Sequence, residues 1–205
     1  MKLSTLLIAA VVLAASSCSR VELPGRDETG GTQQIADELT LADAQATAAT
    51  KALYRNLWTI ADKGFMFGHH DDLMYGCGKD GFAWHGQEGK SDTKDVCGDY
   101  PAVMGVDLAT LIDDRYNDSP SENELRLRCI RQAYDLGIVV VACPHLDNPL
   151  TGGDAWDNSN NKVVSGIPDS GSEVHRTFYS WIDRLADIAN SLKGSDGAQI
   201  PIILR

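Results

Sequence analysis

The residues best equipped for chemistry lie where the apolar run Ile138–Ala142 gives way to Cys143-Pro144-His145-Leu146-Asp147-Asn148-Pro149-Leu150-Thr151-Gly152-Gly153-Asp154-Ala155-Trp156. An imidazole, carboxylates, an amide and an indole in one short segment can hydrogen-bond a ligand and stack against it. A second group, His69-His70-Asp71-Asp72, has the residue types of a metal site. Four consecutive residues cannot all aim at one point, so a structural network with one residue lining a cleft is the stronger reading. Asp71 and Asp72 would point to opposite faces of a strand, and so make no catalytic pair. Asp107 ends a further apolar stretch, Asp99-Tyr-Pro-Ala-Val-Met-Gly-Val-Asp107, where it could orient a neighbour. A metal-dependent hydrolase would instead have to gather His69, His70, Asp72 and His145 in space.

These groups need strands to present them. The β-branched run 138–142 suits a strand buried on both faces, as in a parallel sheet, and such sheets place ligands at the carboxyl ends of their strands. Thr40-Leu-Ala-Asp43 resembles a capping box opening a helix with Leu53, Leu57, Ile60 and Ala61 on one face and Gly64 as its stop. Phe65-Met-Phe67 is expected as a short strand running into Gly68. After a long polar insertion comes the strand that ends at Asp107. Ser121-x-x-Glu124 should start a helix with Leu125, Cys129, Ile130 and Ala133 aligned, closed by Gly137. A third helix, Ser172 to Lys193, carries Phe178, Trp181, Ile182, Leu185, Ala189 and Leu192 at helical spacing and stops at Gly194; the Trp181 stripe reads as core. Ile200-Pro-Ile-Ile-Leu204 is a fourth strand. Strands separated by helices imply crossover connections, hence a parallel α/β sheet.

The two ends carry different signals. Residues 1–17 read as an export signal: Lys2, then an apolar stretch from Leu3 to Ala15 too short to span a bilayer. Ala15-Ser16-Ser17-Cys18 resembles the lipobox of bacterial lipoproteins, which implies lipidation at Cys18 and a place on the outer membrane or cell surface. An ordinary secretory peptide is the alternative. Residues 18–38 are polar and Gly-rich, a flexible tether, and residues 39–205 form one domain. Of 18 basic side chains, loss of Lys2 leaves 17 against 29 acidic ones, net −12, which argues against nucleic acid and suits a neutral polysaccharide. Cys77 and Cys97 bracket the insertion and could be bridged, whereas Cys129 and Cys143 read as buried thiols. Arg205 follows an apolar strand directly, so the expected architecture is either a compact open sheet or a larger fold cut after about strand four; the second is preferred, because a half barrel exposes two strand edges.

Phe67-Gly68-His69-His70-Asp71-Asp72, Asp99-Tyr-Pro-Ala-Val with Asp107, the segment His145–Trp156 and Ile200–Arg205 together resemble glycoside hydrolase family 26, the β-mannanases. The resemblance implies a (β/α)8 TIM barrel that hydrolyses internal β-1,4-mannosidic bonds of mannan or galactomannan with retention, with no metal and no cofactor. It implies that His145 and Arg205 bind substrate at the barrel mouth and that Trp156 can stack on a sugar. Backbone-bonded and core-anchoring roles are the alternatives for His145 and Trp156, and His69, Asp71 and Asp107 are possible cleft-lining residues. Arg205 matches the arginine opening the family's Arg-Pro-x-His-Glu motif. Both catalytic glutamates are then expected beyond Arg205, leaving this chain inactive alone. A non-catalytic, glycan-binding surface lipoprotein is the competing reading.

Overall fold

The computed structural model describes residues 41–61, 63–113 and 119–205. The signal segment, Cys18, the tether and Thr40 lie outside the described residues. Among the described residues no helix is long and apolar enough to cross a membrane.

Helix α1 runs from Ala48 to Ala61. Its cap is Thr47, whose Oγ1 accepts from Thr50 N at 3.1 Å, so the helix begins later than the 40–43 signal suggested. None of its residues is buried, although Leu53 and Leu57 are partly covered. Gly64 closes it as expected, its N–H donating to Ile60 O. Strand β1 is Gly68–His70 rather than Phe65–Phe67; Phe67 only touches the ladder, accepting from Ala102 and Val103.

The polar insertion is not irregular. It folds into an antiparallel hairpin, β2 (Tyr75–Cys77) with β3 (Ala83–His85), followed by the short helix α2 (Asp92–Cys97). Asp92 clamps the hairpin, accepting from Trp84 Nε1 at 2.8 Å and from Cys77 N at 2.9 Å. A Cβ at Gly76 would overlap the Asp92 carboxylate, so the close approach requires glycine there. Cys77 and Cys97 are exposed free thiols, not a bridge; Cys97 Sγ is turned to the carbonyls of Thr93 and Asp99.

Next come β4 (Val103–Val106), the single turn α3 (Ala109–Ile112), α4 (Pro120–Asp135), β5 (Val139–Ala142), the single turn α5 (Val163–Gly166), α6 (Glu173–Ser191) and β6 (Ile202–Leu204). Helix α4 is capped by Ser119 with Pro120 in its first turn, two residues before the Ser121 start the sequence suggested. Its buried residues are the four expected, Leu125, Cys129, Ile130 and Ala133, and Gly137 ends it in the left-handed conformation at φ 78°. Helix α6, capped by Ser172, buries Val174, Trp181 and Leu185, while Ile182 faces outward.

Strands β1, β4, β5 and β6 form one parallel sheet in that order, the succession expected for consecutive strands of a (β/α)8 barrel. In a parallel sheet, paired residues share a face. The row Met104, Val140 and Ile202, with Val106 and Ala142, packs under α4 and α6 to form the core with Ile130, Leu185 and Leu192. The other row, His70, Gly105, Val141 and Ile203, faces the barrel interior. Strand β5 therefore alternates between buried and half-buried residues instead of being buried throughout.

Candidate functional site

The interior row continues past the strand ends to Asp107, Cys143 and Arg205. Asp107 is the hub. Its Oδ1 accepts from Ala109 N at 2.8 Å and His145 N at 3.3 Å, and its Oδ2 lies 2.8 Å from His145 Nδ1. A carboxylate only accepts, so the imidazole proton sits on Nδ1 and Nε2 becomes the ring's acceptor. The ring is more than half exposed, and Asp107 behind it sets its tautomer. His145 is therefore held by a side chain and not by backbone carbonyls alone.

Between Asp107 and Arg205 stands Cys143, buried, its Sγ 3.6 Å from Val106 O. Burial pushes its thiol pKa up, Asp107 and Asp71 push the same way, and Arg205 pulls it down. The thiol is thus protonated filler, consistent with the sequence reading. Arg205 extends the ladder, its N–H donating to Ala142 O at 2.9 Å. Asp107 and His145 are thus brought together, while Arg205 stands at the end of β6, two strands from Asp107 with Cys143 between.

Trp156 is the most exposed of the segment's apolar residues, at 88 %, and is no core anchor. Its loop is nonetheless ordered. Buried Asn148 accepts from Leu150 N and Thr151 N and donates from its amide to Asp157 O. The Thr151 hydroxyl donates to the Asp157 carboxylate, and Asp157 Oδ1 accepts from Ser159 N. The Ser159 side chain first, then the Thr151 hydroxyl and the Ser159 N–H, hold the Asp157 pKa below its ordinary value. Asn148 escaped the sequence reading as a site residue; the Asn-Pro and Gly-Gly pairs around it were the available turn signal.

The residues after β1 are split into two networks. His69 Nδ1 lies 3.5 Å from Asp72 Oδ1, which also accepts from Thr93 N and Oγ1. His70 Nε2 lies 3.4 Å from Asp71 Oδ2, which accepts the Tyr75 hydroxyl at 2.8 Å. That bond, then burial, raises the Tyr75 pKa. The His70 ring rests on Gly105, where an added Cβ would come within 2.6 Å of Nδ1. Among the described residues no three His, Cys, Asp or Glu side chains converge as metal ligands.

Comparison with known proteins places this architecture. The model for glycosyl hydrolase family 26 matches residues 42–205. The chain is 28 % identical over 209 aligned positions to a mannan endo-1,4-beta-mannosidase of Bifidobacterium adolescentis, an alignment covering 98 % of this chain and 20 % of the relative. A GH26 β-mannanase of Bacteroides ovatus is 39 % identical with a TM-score of 0.67, covering 78 % of this chain and 45 % of the other. The catalytic domain of a Bacillus sp. JAMB-750 GH26 endo-β-1,4-mannanase is 27 % identical with a TM-score of 0.68, covering 82 % and 44 %. The chain thus spans a fifth of the curated relative and less than half of each of these solved structures. With the family match extending from before α1 to the end of β6, the chain belongs to glycoside hydrolase family 26.

Proposed function

We propose that this chain is the β1-to-β6 part of an endo-β-1,4-mannanase and supplies one wall of its substrate cleft. The observation that carries the reading is the Asp107–His145 pair at the barrel mouth in a chain whose relatives are named as mannanases. His145 Nε2 accepts a hydroxyl proton from a mannose unit, Arg205 donates to substrate or to a neighbouring carboxylate, and the exposed Trp156 indole offers a stacking face. His69, Asp71 and Asp107 act behind these groups.

Retaining hydrolysis needs two carboxyl groups roughly 5–5.5 Å apart, one protonated and one ionised. Asp107 serves as acceptor to three donors and Asp71 to Tyr75, which suits positioning and not proton donation. The resemblance assigns the reacting pair to the glutamate that closes the motif opened by Arg205 and to a second glutamate much later in the family's sequence. The 205-residue chain is accordingly expected to bind manno-oligosaccharides without cutting them. Reducing-end release from galactomannan, followed beside a titration with mannohexaose, tests both halves. Binding without release that is lost in His145→Ala supports the reading, and saturable release refutes the placement of the pair. Binding without release by every longer version of the protein would favour a non-catalytic glycan-binding role.

The same reading places the protein outside the cytoplasm, lipidated at Cys18; the support is the run Ala15-Ser16-Ser17-Cys18. Labelled palmitate should enter the protein in cells and fail to enter Cys18→Ser. Equal labelling of both would remove the anchor.

A further inference from the structure

Helix α1 and the segment joining it to β1 carry a charge balance opposite to that of the rest of the chain. From Ala44 to His70 the basic residues are Lys51, Arg55 and Lys63 and the acidic one is Asp62, in a chain of 18 basic and 29 acidic side chains. At about 100° per residue, Lys51, Arg55 and Trp58 lie on one side of α1, opposite Leu53, Leu57 and Ile60. Leu53 and Leu57 are partly covered, whereas Arg55, Trp58 and Lys63 are exposed. The leucine stripe is therefore turned to the fold, and a basic face carrying an indole is turned away from it.

The aromatic part of this surface continues past the helix. Trp58 is in the last turn of α1, and beyond it Phe65 is 88 % exposed and Phe67 56 % exposed. The Phe67 carbonyl accepts from Ala102 N and Val103 N, and Gly64 N–H donates to Ile60 O. Phe65 thus stands in a short connection fixed at both ends. Single exposed apolar residues are ordinary, but two phenylalanines and a tryptophan rimmed by cations mark a surface that meets another body. Faces that combine Trp and Phe with Lys and Arg settle in the headgroup layer of anionic bilayers.

Location favours a bilayer over a protein partner. Phe65 and Phe67 precede β1 in a parallel sheet, so they stand at the end opposite Asp107 and His145. Asp99, Asp135 and Asp196 precede the other three strands, which confines the contact to the β1 side of that end. The segment read above as a tether leads directly into α1. A polar, Gly-rich stretch of the length of residues 18–38 reaches about 25 Å, against about 21 Å for the 14 residues of α1. A lipid on Cys18 therefore keeps this face within reach of the membrane, with the cleft mouth on the far side.

We propose that the Lys51–Arg55–Trp58 face of α1, with Lys63, Phe65 and Phe67, is a membrane-contact surface for anionic lipid headgroups that holds the cleft mouth pointing away from the bilayer. The inference rests on the lipid anchor at Cys18 and is independent of the substrate. Its test adds the full chain, as purified from cells, to phosphatidylcholine vesicles with and without phosphatidylglycerol, whose brominated acyl chains quench tryptophan on contact. On the anionic vesicles the wild-type chain should lose about a quarter of its fluorescence, the share of Trp58 among four tryptophans, and Trp58→Phe should show no loss. Phe65→Ser and the pair Arg55→Glu with Lys63→Glu should each cut the quenching about twofold or more, with native circular dichroism. Retention on the vesicles without quenching of Trp58, or equal quenching on pure phosphatidylcholine, would overturn the anionic surface and leave the anchor intact. Concentration-dependent dimers that Phe65→Ser breaks, again without quenching, would give the face to a second copy instead. A chain retained on neither kind of vesicle would remove both surface and anchor.

Discussion

The two ends of the cleft use the same residue types in opposite ways. After β1, Asp71 and Asp72 are buried, and each keeps one oxygen without a partner. After β4, Asp107 is a third exposed and holds a histidine that is more exposed still. A buried carboxylate with fixed donors is a brace, since moving it leaves charge or donors unsatisfied. A half-exposed carboxylate behind an exposed imidazole instead sets which nitrogen faces a ligand. One end therefore braces the fold, and the other presents an exposed ring, the one to which the proposed function gives the substrate contact.

The strongest way to break this contrast is Asp72→Ala, which strands the Thr93 amide and hydroxyl. We expect a loss of about 3 kcal/mol in urea unfolding; a change below about 0.5 kcal/mol would show that the β1 end is no brace. Gly105→Ala comes next. Its Cβ would displace His70, the far end of a side chain, costing about 1–2 kcal/mol and loosening His70 from Asp71. A crystal structure of the variant with His70 unmoved would contradict the packing argument.

Asp107→Asn should act in the opposite sense, costing less than about 1 kcal/mol of stability while weakening mannohexaose about tenfold. The amide can donate, so long-range nitrogen NMR should show the His145 proton leaving Nδ1. Unchanged tautomer and affinity would place Asp107 with the braces. The smallest effect belongs to the Trp156 loop. A carboxylate with a depressed pKa stabilises the fold above its unfolded value and loses that contribution as pH falls through the folded one. The Ser159 amide shift should therefore titrate with a midpoint below the ordinary 3.8 of Asp157, and a midpoint at or above it would mean that the loop is not held by that carboxylate.

Much of this was legible along the chain because it is periodic or punctuated. The buried face of α4, the Gly137 stop and the β4–β5–β6 succession follow from spacing alone, and so does the strand-to-loop change that marks His145. The errors were local. Phe65–Phe67 was apolar enough for a strand, yet pairing with Val103–Gly105 fell to Gly68–His70, because register depends on the partner strand. Thr40–Asp43 satisfied a capping pattern, but Thr47 caps α1. No element was assigned to the polar insertion, although its Tyr75-Gly-Cys and Ala83-Trp-His segments pair across a Gly-rich turn.

By itself, then, the sequence determined the family, the parallel α/β order, the core of α4 and the segment that turns toward a ligand, because these depend on residues near one another in the chain. Only the tertiary structure decided that Asp107 faces His145 from 38 positions away, that Asp71 and Asp72 serve different histidines, and that the Tyr75 and His85 rings stack with their planes nearly parallel. Those outcomes depend on which strand ends are brought together and on which face each side chain leaves its strand. Both are set by packing between elements and not by spacing within one.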